Sequence, residues 1–247
     1  NKGEKMLIEG RNQVIEAIKN GKTINKLYVD LNYARRKDEV ISLAKQFKIK
    51  MEFMPKKALD GISKTAHHQG YIAETVDFEY CEVSDILAKA KSKNEDAFVL
   101  LLDGIEDPHN LGAIIRSCEC AGVHGIILPK NRSCQVNETV VRTSAGAISN
   151  MLIARVTNLK DAMEELKENG LWIYGAEIGG DDIYSTNLTG PIGVVIGSEG
   201  NGTRESVKSH CDKIISLPLF GSVNSLNASV SAGIVVYEVV RQRLKRK

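Results

Sequence analysis

Three stretches of this 247-residue chain carry side chains whose types and spacing could do chemistry. The first is DPHNLGAIIRS, residues 107–117. Pro108 fixes the entry to a turn. Asn110 is suited to cap the following helix, its side-chain oxygen accepting from first-turn amides. Gly112 permits a close approach, and Arg116 lies under two helical turns past the cap, near the loop end of the helix. A surface salt bridge is the competing reading of Arg116. The second stretch is VVIGSEGNG, residues 194–202, with three glycines and the carboxylate of Glu199 after an apolar run. Its glycine order is not the dinucleotide fingerprint, and no GxxxxGK[ST] occurs, so neither a nucleotide nor a phosphate cradle of those kinds is supported. A tight turn with Glu199 as a helix-cap partner is the plainer alternative.

The third stretch is SLPLFGSVNSLNASVSAG, residues 216–233, rich in Ser and Asn and without a charge. It sits between two apolar segments and reads as buried. A buried hydroxyl or amide without a hydrogen bond costs about 1–3 kcal/mol. The groups here therefore need partners, either neighbouring backbone loops with a polar ligand, or capping and packing alone. Leu226, Val230, Gly233, Ile234 and Tyr237 share a helical stripe, and Ala228, Ser231, Ala232 and Val235 are slim enough for a backbone to pack close.

These loops need a frame. AFVLLLD (97–103) is a near-continuous apolar run, as a strand buried on both faces requires. After it, helical and strand patterns alternate: helix LGAIIRSCECAG, strand GIILP, helix VNETVVRTSAGAIS, strand MLIARV. The amphipathic NLKDAMEELKENG closes at Gly170. Strands in LWIYGAE and GPIGVVIGSEG, helix RESVKSHC, strand KIISLPL and a last helix over 225–245 complete the series. Such a chain predicts an α/β fold with a parallel sheet and its ligand loops at the strand C-termini. The front of the chain predicts a helix over 6–20, strands at 26–30, 50–54 and 71–76, and helices at 36–47 and 56–63, a small α/β unit of its own. The expected domains are 1–76, a linker at 77–95 with a short helical piece at 83–92, and 96–247.

Composition, 43% hydrophobic and 26% charged, is that of an ordinary globular protein. No run of about 18 apolar residues predicts a membrane span, and NKGEKMLIEG shows no secretory h-region, so the expected location is cytoplasmic. Five cysteines, an odd number without a CxxC pair, predict reduced thiols and no metal site. The net charge is only +2, but residues 1–76 carry 15 Lys and Arg against 9 Asp and Glu, and residues 77–247 carry 18 against 22. The basic front suits a polyanion, or is a solvated lysine surface.

Taken in order, N-x-G-A-I-I-R-S, I-G-S-E-G-x-G and L-P-L-x-G-S-V-x-S-L-N-x-S-V-x-x-G resemble the three motifs of the SpoU (TrmH-like) RNA 2′-O-ribose methyltransferases, over roughly residues 97–245. The front part resembles the ribosomal-protein-like (L30e type) substrate-binding domain of many members, including the HQG turn at His68–Gly70. The opening IEGRNQVIEAI, the DPHNLGAIIRS loop and the VRQR end look most like the bacterial 23S ribosomal RNA guanosine-2′-O-methyltransferase branch.

The resemblance implies a SPOUT-type domain whose C-terminal segment is threaded into a trefoil knot, an exception to the usual topology rules. It implies a homodimer with the active site completed near the interface, and S-adenosylmethionine as cofactor. By motif position the cofactor contacts are Gly197, Leu217 and Leu226, with Ile196 and Gly202 beside them, and the catalytic cluster is Asn110, Arg116, Glu199, Ser225 and Asn227. A sulfonium donor needs no metal. The family's proposed base is Arg116, although a guanidinium is protonated to above about pH 12; orienting the ribose or phosphate and stabilising the alkoxide is the safer role, and the base stays open. Lys22, Lys26, Arg35, Arg36, Lys37 and Arg142 are the expected RNA contacts, and Tyr28 and Tyr33 candidates to stack on bases. A tRNA ribose methyltransferase, a base methyltransferase on a related knot, a resistance-type ribosomal enzyme and a non-catalytic RNA-binding assembly factor are the alternatives.

Overall fold

The computed structural model describes residues 6–34, 36, 38–75, 78–200 and 202–245. It divides into two compact units, one built on the chain up to Glu79 with Gln135–Glu138, the other on Tyr80–Cys134 and Thr139 onward.

The first unit runs β1 (Met6–Glu9), α1 (Arg11–Lys19), β2 (Ile24–Asp30), α2 (Glu39–Gln46), β3 (Met51–Met54), α3 (Lys56–Ile62) and β4 (Tyr71–Thr75). Its sheet order is β1-β4-β2-β3. β4 is antiparallel to both neighbours, and β2 and β3 are parallel. Val14, Ile18, Leu27, Val29, Val40, Ala44 and Ala73 form the core between this sheet and the helices α1 and α2. The single helix expected over 6–20 is instead a strand and a shorter helix. Leu7 and Ile8 pair with Glu74 and Ala73, and Gly10, at φ 97°, turns the chain before α1 begins.

Glu9 explains the order of the loop that follows α3. Its carboxylate accepts from Ser63 Oγ and Lys64 N, both at 2.6 Å, and from the Thr65 hydroxyl and amide. Burial alone would push the Glu9 pKa up. The bonds from Ser63, Thr65 and Lys64 together outweigh it and hold the group down at about 2. A depressed carboxylate stabilises the fold above its unfolded pKa, and that contribution fades as pH falls through the folded one. Thermal melts of the native protein are therefore expected to lose stability between about pH 4.5 and pH 2. Glu9→Gln should be less stable at neutral pH and flatter over that window; parallel curves would refute the role.

The second unit runs α4 (Val83–Ser92), β5 (Phe98–Asp103), α5 (Pro108–Cys120), β6 (Gly125–Pro129), α6 (Glu138–Thr143), β7 (Leu152–Val156), α7 (Leu159–Glu168), β8 (Trp172–Asp182), β9 (Ile192–Gly197), α8 (Glu205–Lys208), β10 (Lys213–Ser216) and α9 (Ala228–Lys245). Six strands form an all-parallel sheet of order β10-β8-β9-β5-β6-β7. Every residue of β5 is buried, and so are the first five of β9. This is why both read as unbroken apolar runs. Full burial of one such Leu or Ile side chain contributes about 1.5–3 kcal/mol. From β5 the chain winds through β6 and β7 to one edge, then crosses to place β9, β8 and β10 on the other side. The loops after β5 and β9 diverge at that switch, where α/β sheets open a crevice.

The segment 77–95 is not a free linker. Its helix has the expected bounds, but Val83 and Ile86 are buried in the core with Val99, Ile127, Ala154 and Leu166, so α4 belongs to the second unit. The VRQR end anchors α9. Arg243 donates to the carbonyls of Asp96 (3.0 Å) and Gly190 (2.8 Å), and Gln242 bonds Leu188 N and Thr186 O. Among the described residues no helix is long and apolar enough to cross a membrane, and no group of three or more His, Cys, Asp or Glu side chains is placed to hold a metal. The five cysteines are unpaired; burial pushes Cys81 and Cys211 up to about 11 and Cys134 to about 12, so these remain thiols at neutral pH.

Candidate active site

The site forms at the C-terminal ends of β5, β9 and β10, and each end is shaped by its own local chemistry. At β5, buried Asp103 accepts from Arg204 three times: from the backbone N (2.9 Å), Nε (2.8 Å) and NH2 (2.7 Å). This ties the loop after β9 to the end of β5. Asp107, not Asn110, caps α5; its carboxylate accepts from His109 N at 2.8 Å, with Pro108 as the first helical residue. The Asn110 side chain is thereby released to reach across the loops. Gly112 meets α6 closely, since a Cβ there would lie 1.8 Å from Thr143 Oγ1.

At β9, Ser198 and Gly202 bridge each other through both backbone bonds, 3.0 and 3.2 Å, closing the tight turn that carries Glu199. A Cβ on Gly197 would come within 2.3 Å of Gly202 C and Thr203 N, so only glycine lets the turn fold back there. Glu177, from the adjacent β8, accepts from Thr203 N and braces the turn from below. At β10, the chain runs through 217–227 and enters α9 at Asn227. The Asn227 Oδ1 caps that helix, accepting from Ser229 N (3.0 Å) and Val230 N (3.2 Å).

The three ends meet at Glu199. Its Oε1 accepts from Asn110 Nδ2 (3.1 Å), Ala228 N (3.1 Å) and Asn227 Nδ2, and Asn227 Nδ2 also reaches Asn110 Oδ1 at 3.0 Å. A carboxylate held at the N-terminus of α9 is favoured by the helix dipole. The cluster is open to solvent, so its bonds set geometry more than they add stability.

Two pockets meet at this junction, with Glu199 and Ala228 in the wall between them. The first, about 390 Å3, is lined by Ile196, Gly197, Gly202, Leu217 and Leu226, which are the five expected cofactor contacts, and by Glu177, Ser225 and Ser231. The second, about 500 Å3, is bounded by the β5–α5 loop, Asn110, Arg132 and Arg204. Ser198, Glu199, Gly202 and Ala228 line both.

Of the five expected catalytic residues, the structure joins Asn110, Glu199 and Asn227 directly and places Ser225 in the first pocket. Arg116 stands apart. It is exposed on α5, lines neither pocket, and has no hydrogen bond or ion pair among the described residues. The 217–227 stretch is not buried as expected: residues 218–227 are all exposed, with Phe220 at 96%. The apolar stripe of α9 is likewise its outer face. Val230 and Tyr237 are 48% and 50% exposed, while Ala228, Ala232, Val235, Val236 and Val239 face inward. Sequence reasoning missed Glu177, Arg132 and the Asp103–Arg204 pair.

The expected RNA contacts are mixed. Lys22, Arg36 and Arg142 are exposed. Lys26 is committed to Glu52 at 2.9 Å and lies over the Tyr28 ring. Arg35 and Lys37 lie outside the described residues. Tyr33 stacks on Tyr71, at 5.4 Å, and Arg36 lies over its ring at 4.5 Å, so the ring already has partners within the chain; Tyr28 donates its hydroxyl to Glu74.

The profile of the SpoU rRNA Methylase family matches residues 97–237, and that of the RNA 2′-O ribose methyltransferase substrate-binding domain matches residues 7–81. The chain belongs to the SpoU methylase family. It is an RNA 2′-O-ribose methyltransferase of that family. It is 43% identical over 95% of its length to YacO of Bacillus subtilis, which carries the name TrmH family tRNA/rRNA methyltransferase, covering 94% of that protein. A Staphylococcus saprophyticus protein with the same family name is 43% identical, covering 97% of both chains. The solved SpoU methyltransferase AviRb from Streptomyces viridochromogenes, in complex with AdoMet, aligns with a TM-score of 0.62 at 25% identity, over 98% of this chain and 91% of that one.

The family's methyl donor is S-adenosylmethionine, and the first SpoU pocket fits such a group. Ile183, Ile196, Leu217 and Leu226 offer apolar walls for a flat ring, and Glu177 and Glu199 supply negative charge toward a cation.

Proposed function

We propose that this protein methylates the 2′-oxygen of a ribose in 23S ribosomal RNA, at a guanosine, in the cytoplasm. The observation that carries the ribose-methylation part is the Asn110–Glu199–Asn227 junction beside a pocket fit for the donor and a second pocket open to an acceptor; the 23S guanosine part rests on the resemblance of the IEGRNQVIEAI, DPHNLGAIIRS and VRQR stretches. The donor brings a methyl group made electrophilic by its sulfonium. The protein's part is to position the 2′-hydroxyl in line with it and to favour loss of the hydroxyl proton. Asn110, held by Glu199, lines the second pocket; Asn227 lines neither and fixes Glu199 and Asn110 from behind, and Ser225 lines the donor pocket. Ile196, Gly197, Gly202, Leu217 and Leu226 hold the donor. Arg116, permanently charged, orients the ribose or its phosphate and stabilises the developing alkoxide.

Because Arg116 stands off the junction, we place the working enzyme as a homodimer. The exposed apolar face of α9, Val230 and Tyr237, is what a second copy covers, and the site is completed near that face. Residues 1–76 are the RNA-binding domain, with Lys22, Lys26, Arg35, Arg36 and Lys37 as its proposed phosphate contacts, and the unit from Tyr80 onward, α4 included, is the methyltransferase domain, with Arg142 a further phosphate contact. Ribose methylation of tRNA is the second reading, kept by the relatives' names, which pair tRNA with rRNA.

The test is labelled methyl transfer from S-adenosylmethionine to unmodified 23S RNA, 16S RNA and bulk tRNA, followed by nucleoside analysis. Label in 2′-O-methylguanosine of 23S RNA alone is the expected result. Label in tRNA alone would move the substrate, and label on a base would overturn the reaction. The brace under the turn is testable by itself: Glu177→Ala should weaken donor affinity, read by calorimetry, about tenfold. An affinity within twofold of the native protein's would show that Glu177 has no such part.

A further inference from the structure

The second pocket carries an assignment of its own. Its lining holds four carboxylates, Asp103, Glu106, Asp107 and Glu199, which would repel a phosphate if they were open. Three are committed. Asp103 is taken by Arg204, Asp107 by the first turn of α5, and Glu199 by three N–H donors. Arg204 is in turn spent on Asp103. That leaves Arg132, exposed on the loop after β6, as the guanidinium lining this pocket that has no hydrogen bond or ion pair among the described residues.

The backbone holds Arg132 there at some cost. Its φ is +55°, the left-handed region that favours glycine or asparagine, and such a residue persists only where its surroundings enforce it. The enforcement is visible: Cys134 N donates to Ile105 O at 2.7 Å, pinning the loop to the β5–α5 turn, and Ser133 is buried. An arginine kept in that conformation at a pocket where Asp103 is ion-paired and Asp107 and Glu199 are turned to N–H donors is the cation left to meet an anion entering from solvent.

Resting on the methylation reading, we infer that Arg132 grips the phosphodiester next to the reactive ribose, fixing the acceptor nucleotide in the second pocket. The chemistry matches. A 2′-hydroxyl is flanked by the 3′-phosphate of its own nucleotide, and a planar guanidinium binds phosphate oxygens two at a time. Arg132 is a positioning residue; it does not take part in methyl transfer itself.

The experiment uses the full-length protein, its Arg132→Ala, Arg132→Lys and Arg132→Gly variants, and 23S RNA and tRNA as probes. Arg132→Ala is expected to raise the RNA KM about tenfold at unchanged S-adenosylmethionine affinity. The slope of log Kd for RNA against log salt should become shallower by about 0.7 to 0.9, one phosphate contact. Arg132→Lys should recover part of the affinity and the slope. Arg132→Gly relieves the backbone, so it should melt no lower than the native protein and still show the same RNA defect. An unchanged slope and KM in Arg132→Ala, with the native protein active, overturns this assignment alone. So does a loss of donor affinity that tracks the loss of RNA affinity, which would mark a collapsed pocket. Failure of the native protein to leave any 2′-O-methylated nucleoside overturns the methylation reading instead.

Discussion

Arg116→Ala is expected to cut methyl transfer about a thousandfold while leaving S-adenosylmethionine affinity within about twofold. The size is that of removing one charged donor to an oxygen that gains charge in the transition state, the part proposed for Arg116 once a second copy completes the site. The selectivity follows from position. Arg116 lines neither pocket and has no partner among the described residues, so truncating it disturbs neither the donor site nor the Glu199 junction. An exposed side chain without bonds also contributes little to folding, and the melting temperature should barely move. Arg116→Lys keeps the charge and loses the planar fork, so it should fall between the two. Calorimetry with the donor and single-turnover transfer to RNA separate the effects. A large drop in donor affinity would move Arg116 into the donor site, and full transfer would remove it from the reaction.

The frame of this site was legible because buried parallel strands write themselves as apolar runs. β5 and β9 stand where the apolar runs predict them, and the loops after them are the ones whose composition predicts chemistry. α4 kept its expected bounds, yet its membership of the second core was invisible, since Val83 and Ile86 are buried by strands far along the chain. The cap of α5 is Asp107, three residues before the expected Asn110. D-P-H-N offers two good caps, and Pro108, which belongs at the first helical position, decides for Asp107. Six residues are under two turns, so the spacing from Asn110 predicts Arg116 near the loop. At about 100° per residue those six positions also rotate it roughly a third of a turn away from Asn110. The helix expected over 6–20 failed where β4 supplied a pairing edge that helical periodicity cannot announce. Glu177 reaches a partner 26 residues away and Asp103 one 101 residues away, and nothing local to either marks those pairings.

Glu199→Ala is expected to lower kcat for methyl transfer by about a hundredfold or more, with a change in melting temperature of only a few degrees. One oxygen of this carboxylate gathers Asn110, Asn227 and the Ala228 amide, which come from the loops after β5 and β10. Without it the two amides are free to turn, and a misplacement of about 1 Å at a reacting centre can cost a hundredfold. The stability cost is small because the cluster is open to water, which can satisfy each freed donor. Asn227 still caps α9 through Oδ1, so the helix survives. The three residues act as a unit, and their losses should not add. Asn110→Ala with Glu199→Ala should be no more than a few-fold worse than Glu199→Ala alone. Fully additive losses would mean that Asn110 and Glu199 serve the reaction separately. A collapse of the melting temperature with the loss of kcat would mean that the junction holds the fold rather than the acceptor.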